Sequence, residues 1–99
     1  MSDIEQLERK LTEKKDELSS HYGIKQIGVF GSYVRGEQTE NSDLDILVDI
    51  DENSTMSLFD FVHAGYELSD YLGVKVDLVM KSALKPGIGS RILKEVVYV

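Results

Sequence analysis

Apolar residues recur at Ile4, Leu7, Leu11, Leu18 and Tyr22, with Glu, Lys and Arg filling the positions between. Steps of three, four and seven residues place these side chains on one stripe of a helix. Ser2 and Glu5 have the spacing of a capping box, and Gly23 suits the left-handed position that closes a helix. The pattern then changes period. Ile24–Phe30 is short, apolar and partly β-branched, which predicts a strand broken by Gly31-Ser32. Tyr33–Gly36 is long enough for one helical turn, and Glu37–Ser42 is a polar loop. Asp43–Ile50 alternates strictly: Leu44, Ile46, Val48 and Ile50 point one way, and Asp43, Asp45, Leu47 and Asp49 point the other.

Asp51–Thr55 reads as a turn, with Ser54 or Thr55 capping a helix over Met56–Leu72 that buries Leu58, Phe61, Val62, Leu68 and Leu72 and stops at Gly73. Tyr66 and Tyr71 fit the packing of this helix. Val74–Met80 predicts a third strand. Lys85-Pro86-Gly87 breaks the chain before a last short helix, Ile88–Lys94, and Val96–Val99 is apolar enough for an edge strand. That final segment admits two readings, a packed edge or a docking strand for a partner or a second copy in a homo-oligomer. The order helix, strand, turn, strand, helix, strand, helix has no internal repeat or linker. It predicts a single α+β (mixed α/β) domain over residues 1–99, a small mixed β-sheet backed on one face by helices.

Composition narrows the function. An apolar content of 41% is that of a globular chain. A formal net charge of −7 lacks the basic footprint that direct, sequence-independent nucleic-acid binding requires. It leaves room for a nucleotide ligand, because carboxylates gathered at one site hold divalent cations that in turn attract phosphates. With no cysteine there is no disulfide, thiolate metal site or thiol nucleophile, in keeping with a reducing interior. No run approaches the roughly 18 apolar residues of a membrane span, and Met1–Lys15 lacks the apolar centre of a secretory signal. The expectation is a soluble cytoplasmic protein.

The residues that carry chemistry lie between Gly31 and Asp77. Asp43 and Asp45 stand two apart on a strand, so both carboxylates project from one face. Bare carboxylates in that position repel, and a hard divalent cation, magnesium or manganese, removes the conflict. Asp77, on the strand Val74–Met80, joins them if that strand is the neighbour of Asp43–Ile50. Three such oxygens are the ligand set for metal-assisted phosphoryl transfer. Gly31-Ser32 lies at a strand-to-helix turn, where backbone N–H groups and a hydroxyl can face an anion. Arg35, one turn on, has two readings of equal weight: a phosphate contact, or an ion pair pinning the loop Glu37–Ser42. Asp49 and Asp51 are expected at a solvated strand end, His21 and His63 as structural or surface residues, and Lys81 and Lys85 on a solvated loop.

Gly31-Ser32, ten residues, then Asp43-Leu44-Asp45 resembles the G-S, ten residues, D-x-D signature of the DNA polymerase β-like nucleotidyltransferase superfamily. Arg35-Gly36 inside the spacer and Ser42 before the first aspartate narrow the resemblance to the minimal nucleotidyltransferases, antitoxins of HEPN-partnered toxin–antitoxin modules. The resemblance implies the nucleotidyltransferase fold. It implies that Asp43, Asp45 and Asp77 are catalytic residues holding two Mg2+ ions (or Mn2+), with Asp77 also orienting or deprotonating the acceptor hydroxyl. Gly31 and Ser32 would bind the triphosphate of ATP, and pyrophosphate would leave. The implied reaction is transfer of AMP to a tyrosine hydroxyl of a HEPN-domain ribonuclease toxin. The alternatives are an antitoxin that neutralises its partner by binding alone, and nucleotidyl transfer to a small molecule.

Overall fold

The computed structural model describes residues 3–99, so the expected cap at Ser2 lies outside the described residues. Helix α1 (Asp3–Tyr22) ends where the Gly23 N–H donates to the Ser19 carbonyl at 3.0 Å. Strand β1 (Ile24–Phe30) leads into a single turn, α2 (Ser32–Arg35), and the loop to β2 (Leu44–Ile50) follows. Helix α3 (Leu58–Leu72) connects β2 to β3 (Val76–Met80); a 3₁₀ turn, Lys81–Ala83, precedes α4 (Ile88–Glu95) and the two-residue strand β4 (Val97–Tyr98). The sheet order is β3-β2-β1-β4, with β1 antiparallel to β2 and β4, and β2 parallel to β3. A parallel pair cannot be joined by a hairpin, and α3 supplies the crossover.

The apolar stripe of α1 (Leu7, Leu11, Leu18) is buried against Ile27 and Val29 of β1 and Ile46 and Val48 of β2, with Leu68 and Leu72 of α3 completing the core. Alternation predicted this face of β2 correctly. Leu47 lies on the opposite face with Asp45, as the alternation has it, and yet is 1% exposed. The register explains this. Leu47 lies opposite Gly28, and the missing side chain of Gly28 leaves space that Val96 and Tyr98 fill. The C-terminal segment is thus a packed edge of this sheet: Val97 and Tyr98 pair with Val29 and Gly28, and the Val99 N–H donates to the Ile27 carbonyl at 3.0 Å.

Helix α3 differs from its sequence expectation at its start. The cap is Ser57, not Ser54 or Thr55, because Ser54 turns its hydroxyl to the Tyr22 carbonyl (2.8 Å) and secures the end of α1 instead. Helix α3 turns Ala64, Leu68 and Leu72 inward, while Leu58 (72% exposed), Val62 (49%) and Tyr66 (70%) face outward. Only Phe61, Leu68, Leu72 and Tyr71 of the expected packing residues reach the core or its margin. Ser57 and Asp60 form a reciprocal capping box, Asp60 N–H to Ser57 Oγ at 3.1 Å and Ser57 N–H to Asp60 Oδ2 at 3.0 Å. Ser57→Ala is expected to cost about 1 kcal/mol in urea denaturation. An unchanged midpoint would show that core packing alone holds the first turn.

Two strand boundaries also shift: β2 begins at Leu44 and β3 at Val76, so Asp43 and Lys75 flank the ladder rather than belonging to it. The Leu44 N–H to Lys75 carbonyl bond (2.8 Å) marks the point where pairing begins. His21, His63 and Asp51 are exposed, and Asp49 is half-buried with Lys25 Nζ 3.9 Å away. Lys85 is exposed, whereas Lys81 is half-buried and its ammonium lies 6.0 Å from the centre of the Tyr98 ring. Among the described residues no helix is long and apolar enough to cross a membrane.

Candidate active site

The parallel register of β2 and β3 sets Asp77 directly beside Asp45, and the antiparallel register of β1 and β2 sets Phe30 opposite Asp45. Gly31, the next residue of the chain, is therefore delivered to the Asp45 carboxylate. It adopts φ +81°, ψ −153°, a region essentially confined to glycine, and any side chain there would overlap the Asp45 carboxyl group. The Gly31 carbonyl accepts from the Val34 and Arg35 N–H groups (3.1 and 3.2 Å), which winds α2 immediately after the turn. The short G-S turn and the D-x-D strand thus meet because β1 and β2 are neighbours in the sheet.

Asp45 is half-buried, and its pKa is pushed up to about 6. Burial is the largest cause, followed by the negative charges of Asp77 and then Asp43. Asp45 therefore feels the charge of both other aspartates. Among the described residues, no three carboxylate or imidazole groups are arranged to hold a metal ion as they stand. The donor set nevertheless fits a hard divalent cation: all ligands are oxygens, Asp45 and Asp77 are in register, and Asp45 bears a repulsion that a cation would relieve.

A cleft of about 310 Å³ opens beside Asp45, between the Gly31 turn and helix α4. Phe30, Gly31, Arg35 and Asp45 form one wall; Ile88, Arg91, Ile92 and Glu95 form the other. Ser32 is half-buried at the start of α2, and Asp77 is exposed on the flank of Asp45; neither lines the cleft, nor does Asp43. Arg35 forms the ion pair of its second sequence reading and a further one across the cleft. Its Nε donates to Glu37 Oε1 (2.9 Å), pinning the start of the loop, and its Nη1 donates to Glu95 Oε1 (2.7 Å) inside the cleft.

The contribution of α4 was not anticipated from the sequence. Ile88, Arg91, Ile92 and Glu95 fall on one helical face, spaced i, i+3, i+4, i+7. That face mixes apolar and charged residues, an unusual combination for a purely buried or purely solvated surface, and this mixture is the signal that could have marked it. Glu95 is the pivot. Its Oε2 accepts from the Gly31 N–H at 2.7 Å. The Arg35 hydrogen bond first, and the Gly31 N–H second, hold its carboxyl below the usual range.

Residues 11–99 match the nucleotidyltransferase domain family. A relative from Thermococcus cleftensis named protein adenylyltransferase MntA is 52% identical over 99 residues, covering 100% of this chain and 98% of the relative. Among solved structures, a minimal nucleotidyltransferase superposes with a TM-score of 0.76 at 34% identity, covering 98% of this chain and 95% of the other. A chain from the complex of a tri-AMPylated Shewanella oneidensis HEPN toxin with its MNT antitoxin shares the fold at a TM-score of 0.67 and 20% identity, over 95% of this chain and 69% of the other. The match spans the glycine turn, all three aspartates and the cleft-lining helix, and the chain belongs to the nucleotidyltransferase domain family as one of its minimal, enzymatic members.

Proposed function

We propose that this chain is an antitoxin that transfers AMP from ATP to a hydroxyl of a partner protein, a tyrosine of a HEPN ribonuclease toxin, and silences the partner by that modification. The observation that carries the reading is the in-register pair Asp45–Asp77 beside the Gly31 turn at the mouth of a cleft. The adenylyltransferase name of the Thermococcus relative supports the donor and the protein acceptor. The HEPN partner rests on the motif resemblance, together with the toxin carried by the complex that shares this fold.

In the proposed reaction the tyrosine oxygen attacks the α-phosphorus of ATP. The new O–P bond forms as the bond to pyrophosphate breaks, and the phenolic proton passes to a carboxylate. Asp77, exposed beside Asp45, is open to an incoming protein side chain and takes that proton. Arg35 and the Gly31 N–H provide the donors for the β- and γ-phosphates, with the Ser32 hydroxyl adding a third. Asp43, Asp45 and Asp77 would hold Mg2+ or Mn2+, whose chemistry is to neutralise charge on the attacking and leaving oxygens. The exposure of Asp77 on the flank of Asp45 supports an acceptor hydroxyl presented by a folded protein.

Incubation with ATP, Mg2+ and the HEPN protein encoded beside the gene is expected to add one or more AMP masses to the partner and to remove its ribonuclease activity. An unmodified but still inhibited partner would replace this reading with neutralisation by binding. Turnover of ATP with a small acceptor and no protein present would replace it with small-molecule transfer.

A further inference from the structure

Both oxygens of the Glu95 carboxylate are engaged, one by the Gly31 N–H and the other by the Arg35 guanidinium, each at 2.7 Å. These partners are 64 and 60 residues away in the chain, so the contact closes the cleft across its width. A backbone N–H at a glycine turn and an arginine are the donors that a phosphate oxygen pair would take. Glu95 presents to them an anion of the same charge sign and a similar two-oxygen edge. The carboxylate is ionised and largely shielded, its side chain 23% exposed. Arg91, one turn earlier on α4, lines the same cleft without an ion-pair partner among the described residues.

We infer that Glu95 occupies the phosphate donors of the nucleotide site, so that it sets nucleotide affinity by competition and must leave Gly31 and Arg35 before a triphosphate can bind. The inference rests on the nucleotide reading above. The Gly31 N–H is a single donor already taken by Glu95, as is the Arg35 Nη1 edge that faces the cleft, so binding there exchanges Glu95 for phosphate. The element that carries Glu95 is suited to that exchange. Helix α4 has eight residues, no side-chain hydrogen bond at its N-cap Gly87, and continues into a strand of only two residues. When Glu95 withdraws, Arg91 on the same face is left facing the incoming phosphates with its charge uncompensated.

The test is the affinity of the full chain for a non-hydrolysable ATP analogue with Mg2+, by calorimetry, for the wild type, Glu95→Gln and Glu95→Ala. Glu95→Ala removes the competing anion and is expected to bind about tenfold more tightly or better, with Glu95→Gln between it and the wild type. The same substitution removes two hydrogen bonds, so its melting temperature is expected to fall while its affinity rises. A residue that served only to hold the fold together would move both downward. Wild-type binding with equal or weaker binding by both variants overturns the competition and leaves the nucleotide site standing. No binding by any of the three proteins overturns the nucleotide reading itself, and the inference with it.

Discussion

Asp45→Asn is expected to reduce AMP transfer by on the order of 10²–10³-fold or more while making the metal-free protein more stable above pH 6. The loss of activity follows from position. Asp45 is the one carboxylate that touches both halves of the site, in register with Asp77 and packed against Gly31. The gain in stability follows from the same burial. Its folded-state pKa of about 6 lies above the ordinary aspartate value of 3.8, so its proton is held more tightly in the folded chain than in the unfolded one. Such a group imposes no penalty below the unfolded value, where both states are protonated. The penalty grows as pH rises between the two values and is complete above the folded one.

Water screens a half-exposed carboxylate, so the stabilisation by asparagine above pH 6 is roughly 1–2 kcal/mol rather than the full linkage energy. Urea denaturation at pH 8 and at pH 3.5 measures it, and the difference between the two proteins should vanish at the lower pH. Addition of Mg2+ should reverse the order at pH 8, stabilising the wild type and leaving Asp45→Asn unchanged. An Asp45→Asn protein that is destabilised at pH 8 would contradict the account of Asp45 as a strained ligand. If the Asp43→Asn, Asp45→Asn double variant folds and still neutralises the proposed HEPN partner, the protein acts by binding and not by catalysis.

Gly31→Ala should act in the opposite direction on stability, with a loss on the order of 2–4 kcal/mol, and should also abolish nucleotide binding. Two terms contribute. The backbone at φ +81°, ψ −153° is strained for any residue with a Cβ, and the added methyl group runs into the Asp45 carboxyl group. A double-mutant cycle separates them. In an Asp45→Ala background the collision is gone and only the backbone strain remains, so Gly31→Ala should cost less there by about 1 kcal/mol or more. Equal costs in the two backgrounds would show that Gly31 and Asp45 do not press on one another. The two residues thus lie in contact, one destabilising through its charge and the other indispensable through its lack of a side chain. Their proximity brings the Gly31 turn and the Asp45 carboxylate into one cleft.

Much of this arrangement was legible before the fold was known, because it depends on short-range geometry. Side-chain alternation in a strand is fixed by the pleat, so the opposed faces of Asp45 and of Leu44, Ile46 and Val48 could be read directly. The stop at Gly31, the amphipathic stripe of α1 and the break at Pro86-Gly87 likewise follow from local stereochemistry. Local pattern failed where a neighbour intervened. Ser54 bonds the Tyr22 carbonyl and leaves the α3 cap to Ser57, and the docking of α3 through Ala64, Leu68 and Leu72 leaves Leu58 and Val62 in solvent.

The sequence by itself therefore determined which residue types stand near one another along the chain and their spacing: a glycine at a strand end, two aspartates at the start of the next strand and a third on a later strand. Tertiary structure alone decided that β3 lies parallel to β2, with Asp77 abreast of Asp45, and that α4 returns across the sheet to place Glu95 on Gly31 and Arg35. Strand order and helix docking are settled by pairing between segments tens of residues apart. No periodicity within either segment encodes which partner it will meet.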